Sequence, residues 1–473
     1  MPKATNLLEK TKYPVIFATK IALILYTMMI SVPLFHNWLY EGKKLFGIWT
    51  VLLAFLLIAT DFKHFKTKEY VAMFLFCCSY GVTILLNRVH FVNEILILVF
   101  IISSYFMQTY CERTVPMEKV KKELRVIGCT VAGMTFAFSL VNLILFFLKY
   151  QNIGWLMREE YLSHMSASQL GGLYNPNTGG TYNYISILVS FMLLKESKMG
   201  GKVFLTLNAI LQFFCFSLVQ SRGSWVAFLT FVILYFVCVW RNPSFSAAKN
   251  ALYKAVLLVC CVCLLIGGSK LSRKGLSYAA QELSSVHENA APTEDYPDDT
   301  TSEIHTDTPT ENSAEAPTIS VNRNYAHGEQ TDITSGRISI WKIGLDAFKD
   351  SPVLGIGYRS IDDAMKSQLS ENGYSNSGAG GMHNVYITVL VSSGIVGFLL
   401  FAVLIVFLLL KVLKIYLNKQ MPLYVKTLAT FIPAWLVGEL VESRIFLSFT
   451  NMSVFFWITA GYVMYYAREC DKK

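Results

Sequence analysis

The chain has 473 residues, of which 53% are hydrophobic and only 15% are charged. A water-soluble globular protein rarely combines these two values, and the 14% of aromatic residues, which gather at the ends of apolar runs, suit the two interfaces of a membrane. The formal net charge of +9 would fit nucleic acid or an anionic surface. Because Lys and Arg lie in short connections between apolar runs, membrane topology explains the charge better, and we expect no nucleic-acid partner.

Twelve apolar runs approach the length of about 20 residues that a helix needs to cross a bilayer. They lie roughly at residues 14–35, 45–60, 70–87, 91–108, 123–148, 181–194, 203–220, 224–240, 252–268, 385–410, 423–440 and 447–467. We therefore predict an all-α integral membrane protein with about twelve transmembrane helices, in which the lipid bilayer is the surrounding medium.

The distribution of basic residues predicts the orientation of these spans. If the N-terminus is cytoplasmic, the Lys- and Arg-rich connections 61–69, 111–122, 195–202, 241–250 and 411–420 all face the cytosol, as the positive-inside rule requires. Both termini are then cytoplasmic, and the long connection 269–382 between spans nine and ten is extracytoplasmic. We expect a multi-pass protein of the cell (plasma or inner) membrane with three parts: a bundle over 1–268, the loop 269–382, and a second bundle over 383–473.

The extracytoplasmic loop contains two kinds of sequence. Residues 282–332 are rich in Thr, Pro, Ser, Glu and Asp and are predicted to be disordered; a passive spacer is favoured over an acidic patch that repels anions. Residues 336–349, GRISIWKIGLDAFK, place large apolar side chains at helical spacing, with Ser335 as N-cap and Pro352 as stop. A second short helix is predicted at 360–369, so amphipathic helices span about 336–369.

Neither a metal ion nor another cofactor is expected. The ten cysteines show no zinc-ligand spacing and none falls in the 269–382 loop. Asp298 and Asp299 lie in the predicted disordered stretch. Asp362 and Asp363 are neighbours on a predicted helix, where adjacent side chains point in different directions.

Two arginines are candidates for binding an anion. Arg222 lies in a tight outer turn, Ser221 to Ser224, where an interfacial arginine reaching lipid headgroups is the alternative. Arg337 opens the first loop helix, where backbone N–H groups favour anions and the alternative is a solvated polar face. The guanidinium group stays charged and presents a planar fork of donors that suits phosphate.

His383 stands where the loop returns to the membrane and is the natural general base at neutral pH. Its alternative is a structural or capping role. Asn384, the next residue, is predicted either to orient His383 or to bind sugar hydroxyls.

Further polar residues lie at the outer ends of spans, where ionisable groups either line a functional cavity or pair with one another. They are Arg88, Glu94, Glu439, Glu442 and Arg444. We weigh two structural pairs, Glu442 with Arg444 and Glu439 with Arg88, slightly ahead of catalysis, and retain Arg88, Glu442 and Arg444 as candidate substrate-binding residues.

The segment Tyr174-Asn175-Pro176-Asn177 precedes the sixth span on the outer side. Asn and Pro form turns readily, so a turn is one interpretation. The other is a loop that lines a polar cleft, with Tyr174, Asn175 and Asn177 binding substrate.

Four of these motifs, in this order, resemble one family. The runs LYNPNTGG, SRGSW, GRISIWKIGLDAFKDSPVLGIGY and HNVYITVLVSSGIVGFLLF are similar to segments of the O-antigen ligase and O-antigen polymerase superfamily. The resemblance covers about residues 171–401, and the order, spacing and sidedness of the motifs all match.

The resemblance implies a metal-independent, membrane-embedded glycosyltransferase of polysaccharide and cell-envelope biosynthesis. Its donor would be a glycan on a polyprenyl diphosphate such as undecaprenyl diphosphate, and transfer to a glycan, lipid or wall acceptor would invert the sugar. By position, Arg222 and Arg337 correspond to the family's functional arginines and His383 to its functional histidine. Polymerase and ligase activities remain equally open.

Two other functions are alternatives. A transporter or flippase of lipid-linked glycan would carry charged or broken helices at the membrane midplane and two pseudo-symmetric halves. The sequence instead has charges mainly at outer ends and one dominant loop. A sensor or scaffold whose loop only binds is the third interpretation.

Overall fold

A computed structural model describes residues 2–147, 170, 173–239, 247–288, 337–371 and 382–471. Within these ranges every regular element is helical. Nine of the described helices are long and apolar enough to cross a membrane. The prediction of an all-helical, multi-pass membrane protein is therefore confirmed at that level.

The N-terminal part contains six helices. They are α1 (Pro2–Ile30), α2 (Pro33–Leu39), α3 (Gly42–Thr60), α4 (Lys68–Asn87), α5 (Phe91–Ile102) and α6 (Met117–Phe147). A 3₁₀ turn at Phe62–Lys66 joins α3 to α4, and α5 continues as a π-helical turn at Ser103–Gln108.

The remaining described helices run from the Asn-Pro-Asn segment to the C-terminus. They are α7 (Pro176–Leu194), α8 (Met199–Val219), α9 (Arg222–Leu234, extended by a π turn at Tyr235–Val239), α10 (Ala247–Glu288), α11 (Arg337–Phe348), α12 (Tyr358–Glu371), α13 (Val385–Leu417), α14 (Leu423–Gly438) and α15 (Asn451–Glu469). Helices α13, α14 and α15 pack on one another, and α10 packs mainly on α8.

Each of the twelve predicted spans overlaps one main helix, and the first, residues 14–35, also extends from α1 into α2. Three of the overlapped helices, α7, α14 and α15, are not among the nine apolar spans found in the described residues. Helix α14 is short, with 16 residues. Helices α7 and α15 are largely buried inside the bundle. A helix that touches protein rather than lipid tolerates polar residues, which lowers its hydropathy.

A ladder of buried amides and hydroxyls explains the polarity of α7. Asn208 of α8 donates to Ser186 and Ser190 of α7, each at 2.8 Å, and accepts from Gln212 at 3.0 Å. Ser139 of α6 donates to Gln212 at 2.9 Å. Hydrogen bonds of this kind hold helices together in an apolar medium, so α6, α7 and α8 form a polar-cored group.

Helix α13 is broken at Gly394, whose φ is +67°. The loop between α11 and α12 fills the break through four backbone hydrogen bonds of 2.9–3.2 Å. They run from Ile356 N to Val391 O, Gly357 N to Ser392 O, Ile395 N to Pro352 O and Val396 N to Val353 O. Because unpaired backbone groups are costly at membrane depth, this loop is a structural part of the span.

The C-terminal part of α10 is longer than the sequence predicts. The sequence predicts a span ending near residue 268 and disorder from 282, yet α10 is continuous to Glu288. Ala, Leu, Gln and Glu are frequent in its last turns and favour helix. The rest of the predicted disordered stretch and Ser335 lie outside the described residues.

Candidate functional site

The loop between α14 and α15 places a buried carboxylate at one end of the bundle. Glu442 is 7% exposed. One oxygen, Oε1, lies 3.4 Å from Nη2 of Arg337, while Oε2 lies 3.0 Å from Nη2 of Arg444 and 3.5 Å from Nδ1 of His383. Groups from three separate parts of the chain thus meet at one carboxylate, and we call these four residues the Glu442 cluster.

The charge of Glu442 is set by opposing effects. Burial disfavours the ionised carboxylate, but the charge of Arg444, the hydrogen bond and charge of His383, and the charge of Arg337 outweigh it and lower the pKa of Glu442 to about 2. Glu442 is therefore ionised at every physiological pH.

Arg444 ties the Glu442 cluster to the start of α7. Its Nη1 donates to the backbone oxygen of Asn177 at 2.9 Å and to Thr181 Oγ1 at 2.8 Å. With Nη2 on Glu442, both ends of the guanidinium fork are engaged. The predicted pair of Glu442 with Arg444 is present.

Glu439 stabilises the same loop by accepting hydrogen bonds from its backbone. Its Oε2 accepts from the backbone N–H groups of Arg444 at 2.7 Å and Ile445 at 3.2 Å. The predicted pair of Glu439 with Arg88 is wrong: Arg88 is exposed at the end of α4, in a left-handed conformation, and its Nε donates to Leu85 O at 3.4 Å. The end of α4 therefore directs Arg88 away from Glu439.

Helix α9 begins against the Glu442 cluster. Ser221 caps it by accepting from Ser224 N at 3.5 Å, and Arg222 is its first residue, exposed at the rim. A Cβ on Gly223 would lie 2.9 Å from Cγ of Glu442. Only a glycine lets the first turn of α9 approach this closely.

Arg337 is the first described residue of α11, and its side chain is 15% exposed. Two contacts hold α11 against the residue before His383: Trp341 Nε1 donates to Met382 O at 2.8 Å, and a Cβ on Gly344 would lie 1.9 Å from Cε of Met382. The apolar face of the loop helix thus sets the distance between Arg337 and His383.

His383 has a positive φ of 47°, and its side chain is 30% exposed. The next residue, Asn384, caps α13 by accepting from Tyr386 N at 3.0 Å and Ile387 N at 3.1 Å. Its Nδ2 donates to Leu440 O at 3.0 Å. Both ends of the Asn384 amide therefore make hydrogen bonds that stabilise the fold. Of the two neighbouring residues, His383 is the one whose side chain contacts Glu442.

The Asn-Pro-Asn segment contributes backbone more than side chains. Asn175 caps α7 by accepting from Asn177 N at 2.9 Å. Tyr174 is 5% exposed and packs edge-on against Phe138 and Tyr182. The backbone carbonyl oxygen of Asn177 accepts a hydrogen bond from Arg444. This segment therefore forms a turn whose backbone binds the Arg444 side chain.

Of the predicted site residues, the structure gathers Arg337, His383, Glu442 and Arg444 directly and brings the start of α9 against them. Arg88 lies apart. Glu94 also lies apart: it accepts from Tyr80 and from the backbone N–H of Arg359 at the start of α12. Sequence reasoning missed Gly223 and Thr181, for which the glycine inside SRGS and the threonine one turn after Asn177 were the available signals.

Guanidinium and imidazole groups around one carboxylate form a site with more positive than negative groups. Guanidinium groups at a helix start suit the oxygens of phosphate, and an imidazole can take a proton from a hydroxyl. Among the described residues, no three His, Cys, Asp or Glu side chains are close enough to share a metal ion.

Part of the chain matches a known family. Residues 207–402 match the family model described as O-antigen ligase. A search of curated proteins finds no match. The matched stretch contains the start of α9, all of α11 and α12, and His383, so the resemblance drawn from the motifs is confirmed over residues 207–402, which are similar to the O-antigen ligase family.

Proposed function

We propose that the chain transfers a glycan from a polyprenyl diphosphate carrier to an acceptor at the outer face of the cell membrane, as a ligase or a polymerase. The observation that carries this proposal is the meeting of Arg337, His383 and the Arg222 end of α9 at one place, at one end of the helices.

The donor is already activated, because its anomeric carbon bears a diphosphate leaving group. The protein must mainly stabilise the negative charge that develops on that group and orient the two reactants. Arg337 and Arg222 would bind the diphosphate, and their fixed positive charge provides this stabilisation with protein groups alone.

His383 would act as the general base. Its ring takes the proton of the acceptor hydroxyl while the hydroxyl oxygen attacks the anomeric carbon from the face opposite the diphosphate. One C–O bond forms, the bond to the diphosphate oxygen breaks with its electron pair leaving on the diphosphate, and the sugar is inverted.

The orientation of the chain is part of the proposal. With both termini in the cytoplasm, the Glu442 cluster faces the outer side, where a lipid-linked glycan would present its headgroup at the membrane surface and its polyprenyl chain in the bilayer.

The test is glycan transfer by the purified protein with a polyprenyl-diphosphate-linked glycan. We expect Arg337→Ala, Arg222→Ala and His383→Ala each to lower the rate by about 10²–10³-fold. Arg88→Ala, an exposed outer arginine outside the Glu442 cluster, is the matched control and should keep full activity. Full activity in all three variants would exclude this mechanism.

The products distinguish the two forms of the proposal. A ladder of extended, carrier-linked glycans indicates polymerase activity, whereas a glycan moved once onto a different acceptor indicates a ligase.

A further inference from the structure

Glu442 was treated from sequence as a substrate-binding residue, but its contacts point to another role. We propose that Glu442 is a positioning residue that holds the His383 ring with Nδ1 toward the protein and Nε2 toward the acceptor hydroxyl. This inference rests on the proposed function.

The first argument is that the carboxylate of Glu442 is itself held in place. Arg444 binds Oε2 at 3.0 Å and is anchored in turn on Asn177 O and Thr181 Oγ1. Gly223 closes the opposite side, where no Cβ would fit. A buried, charged group with these contacts is a rigid reference point for a neighbouring ring.

The second argument is that the backbone of His383 is held on both sides. Met382 is fully buried, and its carbonyl oxygen accepts from Trp341. Asn384 caps α13. The side-chain rotation of His383 is therefore the main remaining freedom, and the contact between Nδ1 and Glu442 restricts it.

The third argument concerns the proton on the ring. A neutral imidazole has one N–H donor and one acceptor nitrogen, whereas an ionised carboxylate only accepts. The 3.5 Å contact with Glu442 therefore favours the tautomer with hydrogen on Nδ1, which leaves the lone pair of Nε2 for the acceptor hydroxyl. When Nε2 takes that proton, the resulting imidazolium faces the carboxylate, which stabilises it.

The decisive experiment is a double-mutant cycle of Glu442→Gln with His383→Ala, measured as kcat and donor KM of glycan transfer. Gln keeps the shape of Glu but removes its charge. In the wild-type background we expect kcat to fall about 100-fold with the donor KM changed less than about threefold, because the lost contact serves proton transfer. In the His383→Ala background the same substitution should cost less than about threefold, because the ring that it positions is absent.

Glu94→Gln is the matched control, since Glu94 is also a buried outer carboxylate but contacts Tyr80 and the start of α12 instead. Any loss that it causes should be the same in both backgrounds. An equal loss from Glu442→Gln in both backgrounds would overturn the positioning role, as would a change confined to KM.

If Glu442→Gln does not fold, a second variant still tests the inference. Glu442→Asp keeps the charge opposite Arg444 but withdraws it from His383 by one methylene, so kcat should lie between those of wild type and the Gln variant, at an unchanged donor KM. Unchanged kcat in Glu442→Asp contradicts the inference.

Failure of the inference differs from failure of the proposed function. Full activity in His383→Ala removes the proposed base, whereas a slow His383→Ala enzyme with additive losses removes only the role of Glu442.

Discussion

Three cation-capable side chains surround the single carboxylate of Glu442, namely Arg337, Arg444 and His383. Arg444 is the one whose hydrogen bonds are directed into the fold. Arg337 and His383 contact Glu442 at longer distances; Arg337 lies on α11, and His383 precedes α13. At the scale of residues, the Glu442 cluster divides into an ion pair anchored in the fold and two groups to which the proposed function assigns contacts with the substrate.

The low pKa of Glu442 predicts how stability depends on pH. The ordinary pKa of Glu is 4.5 and the pKa of Glu442 in the fold is about 2, so the folded state favours the ionised form. The resulting stabilisation, on the order of 3 kcal/mol, is present above pH 4.5 and is lost as pH falls from about 5 toward 2. Thermal unfolding of the detergent-purified protein across this range measures the loss.

Glu442→Gln is the reference for that measurement. Its unfolding temperature should decline less between pH 5 and pH 2 than that of the wild type, because it has no proton to gain at this position. Parallel curves for the two proteins would contradict the assignment.

Gly223 is predicted to be intolerant of even one methyl group. A Cβ there would lie 2.9 Å from Cγ and 3.1 Å from Oε1 of Glu442, so Gly223→Ala should displace the carboxylate and lower glycan transfer by about tenfold or more. Gly133→Ala on α6 meets nothing within 4 Å and serves as the control. Equal transfer rates in the two variants would show that the approach of α9 to Glu442 does not matter.

At the scale of elements, α13 and the loop between α11 and α12 form one unit. The break at Gly394 exposes backbone groups, and the Pro352 to Gly357 segment satisfies them. α4 supports the same loop, since Thr83 Oγ1 donates to Leu354 O at 2.6 Å and Asn87 Nδ2 to Gly355 O at 2.8 Å. The segment that joins α11 to α12 is thus bound to both α13 and α4.

Gly394→Ala should therefore destabilise the protein strongly. A Cβ would lie 2.2 Å from Val353 O, and the φ of +67° is strained for any residue with a side chain. We expect the free energy of unfolding to fall by about 3 kcal/mol or more, measured as a lower unfolding temperature or loss of monodisperse protein. Gly267→Ala, in an open position on α10, is the control and should leave the unfolding temperature nearly unchanged.

At the scale of the whole molecule, α13 runs from Val385, two residues after His383 on the proposed outer side, to Leu417 at its other end. Its 33 residues, at about 1.5 Å each, exceed the hydrocarbon thickness of a bilayer. We therefore expect positions just before and just after this helix to lie on opposite sides of the membrane.

Cysteine labelling in intact cells tests this orientation. In a background without the native cysteines, Lys349→Cys should react with a membrane-impermeant thiol reagent, because Lys349 is exposed after α11. Lys419→Cys, exposed between α13 and α14, should react only after the membrane is opened. The reverse pattern would place the Glu442 cluster in the cytosol and exclude the proposed donor.

The sequence by itself determined the membrane character and the positions of the helices, because the number of apolar residues needed to cross a bilayer and the helical spacing on 336–349 are local properties. It also pointed to Arg222, Arg337 and His383 as candidate site residues through ordered motifs, although each residue alone had a structural alternative, and their roles stay a prediction. Only the tertiary structure decided that Glu442 lies between Arg444 and His383, that Arg88 stands apart from Glu439, and that the loop after α11 completes a broken span. Those outcomes depend on which distant segments pack together. The close approaches at Gly223 and Gly394 arise only when two backbones pack, so no single stretch of sequence determines them.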